Sequence, residues 1–117
     1  MRMMLQQVLD RIPGSIGASV VGLDGIAVEK VTTQDLFNMD LASAEGVNIV
    51  KRARSSMEAH PGDQPDEIMI SSQSGIIILR SLGSDYYLCV VAGNDCIPGQ
   101  ARYETWRVGL MLQETIR

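Results

Sequence analysis

Met3, Met4, Val8 and Ile12 recur at helical spacing with Gln6, Gln7, Asp10 and Arg11 between them, and Pro13-Gly14 stops the run. This predicts a first amphipathic helix. Ile16 to Gly22 is β-branched and apolar, Asp24-Gly25 is a tight-turn signal, and Ile26 to Val31 sets an outward Glu29 among apolar neighbours, so two strands of a hairpin are expected. From about Met39 to Ala59 no proline occurs. Met39, Ala42, Gly46, Val47, Ile49, Val50, Ala53 and Met57 make an apolar stripe broader than one sheet contact requires, which predicts a long central helix with two buried faces. His60-Pro61-Gly62-Asp63-Gln64-Pro65 ends it, because proline lacks an amide hydrogen and restricts its predecessor.

Three strands follow at Glu67 to Ser72, Ile76 to Leu82 and Tyr86 to Ala92, separated by Gln73-Ser74-Gly75 and Gly83-Ser84-Asp85. Connections this short join antiparallel neighbours. Ile76-Ile77-Ile78-Leu79 and Tyr87-Leu88-Cys89-Val90-Val91 are apolar at odd and even positions alike. Successive strand side chains point to opposite sides, so the sheet is expected to be covered on both faces. A last helix begins near Pro98-Gly99, with Ala101, Val108, Leu112 and Ile116 inward and Arg107 and Glu114 outside. The expected order is α-β-β-α-β-β-β-α, an α+β fold.

The chain's 117 residues, 45% of them hydrophobic, suit one domain over residues 1–117 with one core. The formal charge is -4 and the basic residues are scattered, which argues against general binding to nucleic acid or to an anionic membrane surface. Gln6, Gln7 and Asp10 interrupt the start before a signal sequence or membrane span can develop. Cys89 in an apolar strand and Cys96 in the following loop read as reduced thiols of a cytoplasmic protein.

No catalytic, cofactor-binding or metal-binding residue emerges. Neither Lys30 nor Lys51 completes a phosphate-binding loop, and two cysteines with the single His60 fall short of a zinc set. Gly14-x-x-Gly17 and Gly22-x-x-Gly25 match turn chemistry at the ends of a strand. His60 stands beside a helix terminus, where it can satisfy carbonyls, and no nucleophile accompanies it. Asp63, Asp66 and Glu67 are expected to stay solvated rather than to form an acid-base pair. Cys89 reads as an inert core thiol, whereas a place near a helix N-terminus would lower the pKa of Cys96. Arg102, a cation near the start of the last helix, opposes the helix dipole and calls for a partner. That partner is either Asp95 or a loop carbonyl, or an anionic site on another protein, such as that of a GTPase.

The third strand carries Ile68, Met69 and Ile70 and follows a long crossover, so an uncovered sheet edge is expected there. Together with the surplus breadth of the central helix, including Gly46, Ile49 and Ala53, this predicts an isologous homodimer with edge strands joined and central helices face to face. The polar side of that helix, Asn48, Lys51, Arg52 and Ser55, is the expected partner-binding surface.

Ile12-Pro-Gly-Ser-Ile-Gly-Ala-Ser-Val-Val-Gly-Leu-Asp-Gly, the small-residue helix, Ser74-Gly-Ile-Ile-Ile-Leu-Arg, Leu88-Cys-Val-Val and Gly99-Gln-Ala-Arg102 together resemble the Roadblock family. That family is named for a dynein light chain and includes bacterial regulators of the MglB type. The resemblance covers nearly the whole chain. It implies a five-stranded antiparallel sheet with one long helix on one face, two terminal helices on the other, and dimerisation into a continuous sheet. It also implies a non-catalytic partner of a Ras-like small GTPase. The alternative is a structural adaptor in a motor, receptor or polarity complex, indifferent to nucleotide state. A sensor holding a small ligand between layers is a third class, for which the convergent polar groups are missing.

Overall fold

The computed structural model describes residues 1–57, 63–83 and 85–116. Its elements are α1 (Arg2–Arg11), β1 (Ser15–Gly22), β2 (Ala27–Thr32), α2 (Met39–Ser56), β3 (Glu67–Ser72), β4 (Gly75–Ser81), β5 (Tyr86–Gly93) and α3 (Pro98–Ile116). The expected order therefore holds, and each strand end falls within a residue of its expected place. Residues 58–62, which include His60 and the expected end of the central helix at Ala59, lie outside the described residues.

The five strands form one antiparallel sheet in the order β2-β1-β5-β4-β3. Strand parity sorts the core into two layers. Ala18, Val20, Ile76, Ile78, Leu88, Val90 and Ala92 pack against α1 and α3 through Leu5, Val8, Leu9, Ile12, Ala101, Val108 and Leu112. On the other face Val21, Leu79, Tyr87 and Cys89 pack against Met39, Val47 and Val50 of α2. The buried stripe of α1 is Leu5, Val8, Leu9 and Ile12, while Met3, expected inside, is 83% exposed. The i, i+3, i+4, i+7 set beginning at Leu5 is the one aimed at the sheet.

Local chemistry sets the element ends. Asn38 caps α2, its side-chain oxygen accepting the Leu41 N–H at 3.0 Å. Pro98 occupies the first position of α3, where a missing N–H costs nothing. Gly25, at φ +84, makes the β1–β2 turn, in which Asp24 Oδ1 accepts the Ile26 N–H. Glu29, expected to point outward, is half-buried and accepts a hydrogen bond from Arg2 Nη1 at 2.8 Å. Arg107, also expected outside, is half-buried because its guanidinium donates to Glu104 at 2.9 Å and to Gln7 at 3.1 Å, joining α3 to α1.

Gly75 opens β4 at φ +148, and a Cβ there would collide with the carbonyl oxygen of Ala92. Both the backbone angle and the lack of space demand glycine. Gly75→Ala should therefore destabilise the protein by about 3 kcal/mol, read as a lower urea midpoint in far-UV circular dichroism. An unchanged midpoint would show that β4 starts differently.

Candidate functional site

The side chains of α2 fall into three sectors. Met39, Ser43, Gly46, Val47 and Val50 are buried on the sheet. In that layer Ser43 Oγ donates to the Met39 carbonyl at 2.7 Å and shares a 2.7 Å hydrogen bond with Ser19 Oγ of β1, so its burial leaves no polar atom unpaired. Ala42, Ile49 and Ala53 form a half-buried flank. Leu41, Glu45, Asn48, Lys51, Arg52 and Ser55 form an exposed crest.

The flank has a direction. Asp40 pairs with Lys30 of β2, and Ala44 lies 3.9 Å from the place a Cβ on Gly25 would take, so one side of α2 faces the β2 edge. At 100° per residue, Ala42, Ile49 and Ala53 lie on the opposite side, toward β3. There the sheet presents Ile68, half-buried, and Ile70, 43% exposed. Their register partners Leu79 and Ile77 confirm that both side chains point to the α2 face. Phe37, Ile70, Ile77 and Val91 line an open hollow of about 350 Å³ on that face. A half-buried apolar band thus runs from the flank of α2 to the free edge of β3.

The expected interface residues separate on inspection. Ile49, Ala53, Ile68 and Ile70 lie in this band. Met69 pairs in register with Ile78 and points to the opposite face, toward α3. Gly46 faces inward, since a Cβ on it would stand 2.9 Å from Leu79 Cδ2 and 3.5 Å from Cys89 Sγ. Its small size serves the helix's contact with its own sheet rather than with a second helix. In place of a second fully buried face, α2 has this half-buried flank, where Ala42 of the helix and Ile77 and Val91 of the sheet, which helical and strand periodicity assigned to the interior, are joined by Phe37 from the loop before α2. The four expected partner-binding positions, Asn48, Lys51, Arg52 and Ser55, lie together on the crest, and Leu41, 54% exposed, extends them toward the helix start.

Two arginines tie the elements together. Arg54, in the last turn of α2, donates to Gln64 and, at 3.2 Å, to the hydroxyl of the buried Tyr87. Arg102 grips Glu67 of β3 with both arms of its guanidinium, Nε to Oε1 at 3.0 Å and Nη2 to Oε2 at 2.7 Å. The partner of Arg102 is therefore Glu67 rather than Asp95 or a loop carbonyl. Hydrogen bonds from Arg102 chiefly, with the charges of Arg102 and Arg80, hold the Glu67 carboxyl below its ordinary value against a partial opposing effect of burial.

Burial pushes the Cys89 thiol up to about 12, only partly offset by the hydroxyl of Ser19, as expected of an inert core thiol. The Cys96 thiol is also raised, by partial burial and then by the adjacent Asp95 carboxylate, contrary to the lowering expected from its place near α3. Asp63 and Asp66 are exposed and Glu67 is engaged with Arg102. Among the described residues no three His, Cys, Asp or Glu side chains converge as a metal site. A hollow of about 500 Å³ beside β2 is a polar furrow in whose walls Arg2 pairs with Glu29 and Lys30 with Asp40.

By sequence, no family model and no curated relative matches the chain. By structure, it superposes on a Roadblock/LC7 domain from Streptomyces avermitilis with a TM-score of 0.87 at 17% identity, over 99% of this chain and 97% of that one. Myxococcus xanthus MglB matches with a TM-score of 0.86 at 10% identity, over 98% and 93% of the two chains. MglC from Myxococcus xanthus matches with a TM-score of 0.71 at 22% identity, over 97% of each chain. The chain has the Roadblock/LC7 fold.

Two outcomes follow from this electrostatics. Because the folded pKa of Glu67 is depressed, its pairing stabilises above the unfolded carboxylate value and is lost as pH falls through the folded one. Glu67→Gln should lower the thermal midpoint at neutral pH, and the gap from the parent should close on acidification. A pH-independent gap would assign the loss to packing. At pH 8 a disulfide reagent should titrate Cys96 slowly in the native protein and reach Cys89 only in urea. Fast native reaction of both thiols would contradict the burial of Cys89.

Proposed function

We propose that the protein is a non-catalytic homodimeric regulator that binds a Ras-like small GTPase and modulates its GTP hydrolysis or cycling, in the manner of an MglB-like protein. Residues 1–117 act as one Roadblock-like domain in the cytoplasm. The observation that carries the reading is the half-buried apolar band from Ala42, Ile49 and Ala53 to Ile68 and Ile70. It ends at a strand whose outer N–H and C=O groups have no neighbouring strand among the described residues. A second copy related by a two-fold axis normal to the sheet meets both needs at once. Edge pairing satisfies the backbone of β3, and the two α2 flanks cover the band.

In that arrangement both α2 crests face the same way and form one doubled surface. Asn48, Lys51, Arg52 and Ser55 present cations and hydrogen-bonding groups suited to acidic and polar switch residues, and Leu41 adds an apolar contact. The chemistry of hydrolysis belongs to the GTPase. The described helices include none long and apolar enough to cross a membrane.

Sedimentation equilibrium should show a dimer, and Ile70→Asp should weaken it on the order of 100-fold while the circular dichroism spectrum persists. Capture from lysate with GDP or a non-hydrolysable GTP analogue should retain a small GTPase preferentially with the analogue. Lys51→Glu with Arg52→Glu should reduce that binding about ten-fold or more without altering the dimer. Partners retained equally in both nucleotide conditions would instead make the protein a structural adaptor, and unchanged binding by the charge-reversed variant would remove the crest from the interface.

A further inference from the structure

The face of the sheet opposite α2 carries a second feature, apart from the α2 flank and crest. On α3, Tyr103, Trp106 and Leu110 are 56%, 42% and 45% exposed at i, i+3 and i+7. They form an apolar stripe on the side of the helix turned from the core. Tyr103 and Trp106 pack with ring centroids 5.9 Å apart and make a single aromatic wall. This wall, with Arg102, Glu67 and Arg80, lines a groove of about 240 Å³ between α3 and the start of β3.

The charges in the groove are unequal. Among the described residues that line it, Glu67 is the sole carboxylate, and Arg102 already binds both of its oxygens. Arg80, opposite Glu67 in the strand register, lays its stem beside Gly109, where a Cβ would stand 3.3 Å from Arg80 Cγ. Among the described residues its guanidinium has no hydrogen bond or ion pair, although the residue is half-buried. The described residues of the groove therefore carry two guanidinium groups against one carboxylate, and Arg80 acts on that carboxylate only through its charge, with no hydrogen bond of its own. A guanidinium presents a planar fork that matches a carboxylate, and aromatic residues beside an arginine are the composition of a binding anchor rather than of a solvated face.

We infer that this groove docks an acidic, amphipathic segment of a partner protein. An Asp or Glu side chain of that segment pairs with Arg80 and flanks Arg102, while its apolar side chains cover Tyr103, Trp106 and Leu110. The surface is distinct from the α2 crest. A two-fold axis normal to the sheet places both copies' grooves together on the face opposite the crests, so one dimer can hold such a segment and a GTPase simultaneously.

Trp106 is the chain's single tryptophan, so its emission reports occupancy of the groove without a label. A phage-displayed library of random peptides should be selected on the intact protein, and the enriched peptides synthesised and titrated. Peptides carrying Asp or Glu among apolar residues at helical spacing should be enriched and should blue-shift Trp106 emission saturably. Arg80→Gln should weaken them about ten-fold, and Arg102→Gln should weaken them less, because that arginine is already engaged. Charge reversal at Lys51 and Arg52 should leave peptide affinity unchanged, which separates failure of this inference from failure of the GTPase reading. The inference is overturned if no acidic peptide is enriched, if enriched peptides leave Trp106 emission unmoved, or if they bind Arg80→Gln as tightly as the parent. It is equally overturned if Leu110→Lys dissociates a higher oligomer, since the stripe would then be covered by further copies of the chain.

Discussion

Five strands spaced about 4.8 Å apart put the outer two about 19 Å from each other, whereas one helix with its side chains is about 10 Å across. A single helix therefore cannot roof such a sheet. On the face where α1 and α3 lie side by side, two helices bury Ile76, Ile78, Leu88 and Val90 and leave Met69 at the β3 edge exposed. On the other face α2 is the single helix among the described residues. It is drawn toward β2 by Lys30 and Asp40 and held to β1 by Ser19 and Ser43, so the deficit falls at the β3 side. The half-buried state of Ile68, Ile77 and Val91 follows from this mismatch of widths.

Chain connectivity makes the deficit useful. The chain leaves β2 at one edge and re-enters the sheet as β3 at the other, using α2 as the crossover. The helix that covers the face is thus also the connection that delivers to the far edge a strand paired on one side only. Apolar surface without a roof and an outer strand edge without a neighbour among the described residues arise at the same place, and the proposed symmetric contact would answer both.

Much of this was legible in the residue pattern because strand and helix periods are local properties. The continuous apolar runs in β4 and β5 announced a sheet buried on both faces, and Asp24-Gly25 and Pro98 fixed element ends. What escaped depends on facts that periodicity does not carry. The choice between Met3 and Leu5 as the inward face of α1 rests on how the helix is rotated on the sheet. The partner of Arg102 is 35 residues away, and no rule of spacing selects Glu67 over Asp95. Gly46 reads as a place where a second helix comes close, whereas the surface it lets near is Leu79 of its own sheet. Tyr103, Trp106 and Leu110 were hidden for the opposite reason, since an apolar residue on a helix is ordinarily assigned to the core and only the packed α3 shows them outside.

The hydroxyl pair between Ser19 and Ser43 acts as a detent. An apolar helix on an apolar sheet could slide by one turn with little loss of contact, but such a step would part the two hydroxyls; Ser43 would keep its bond to the Met39 carbonyl, while the buried Ser19 hydroxyl would lose its partner on α2, at about 1–3 kcal/mol. The helix has one seat. The spacing between the crest of α2 and the edge of β3 is thereby set before any partner arrives, so association need not freeze out a sliding coordinate.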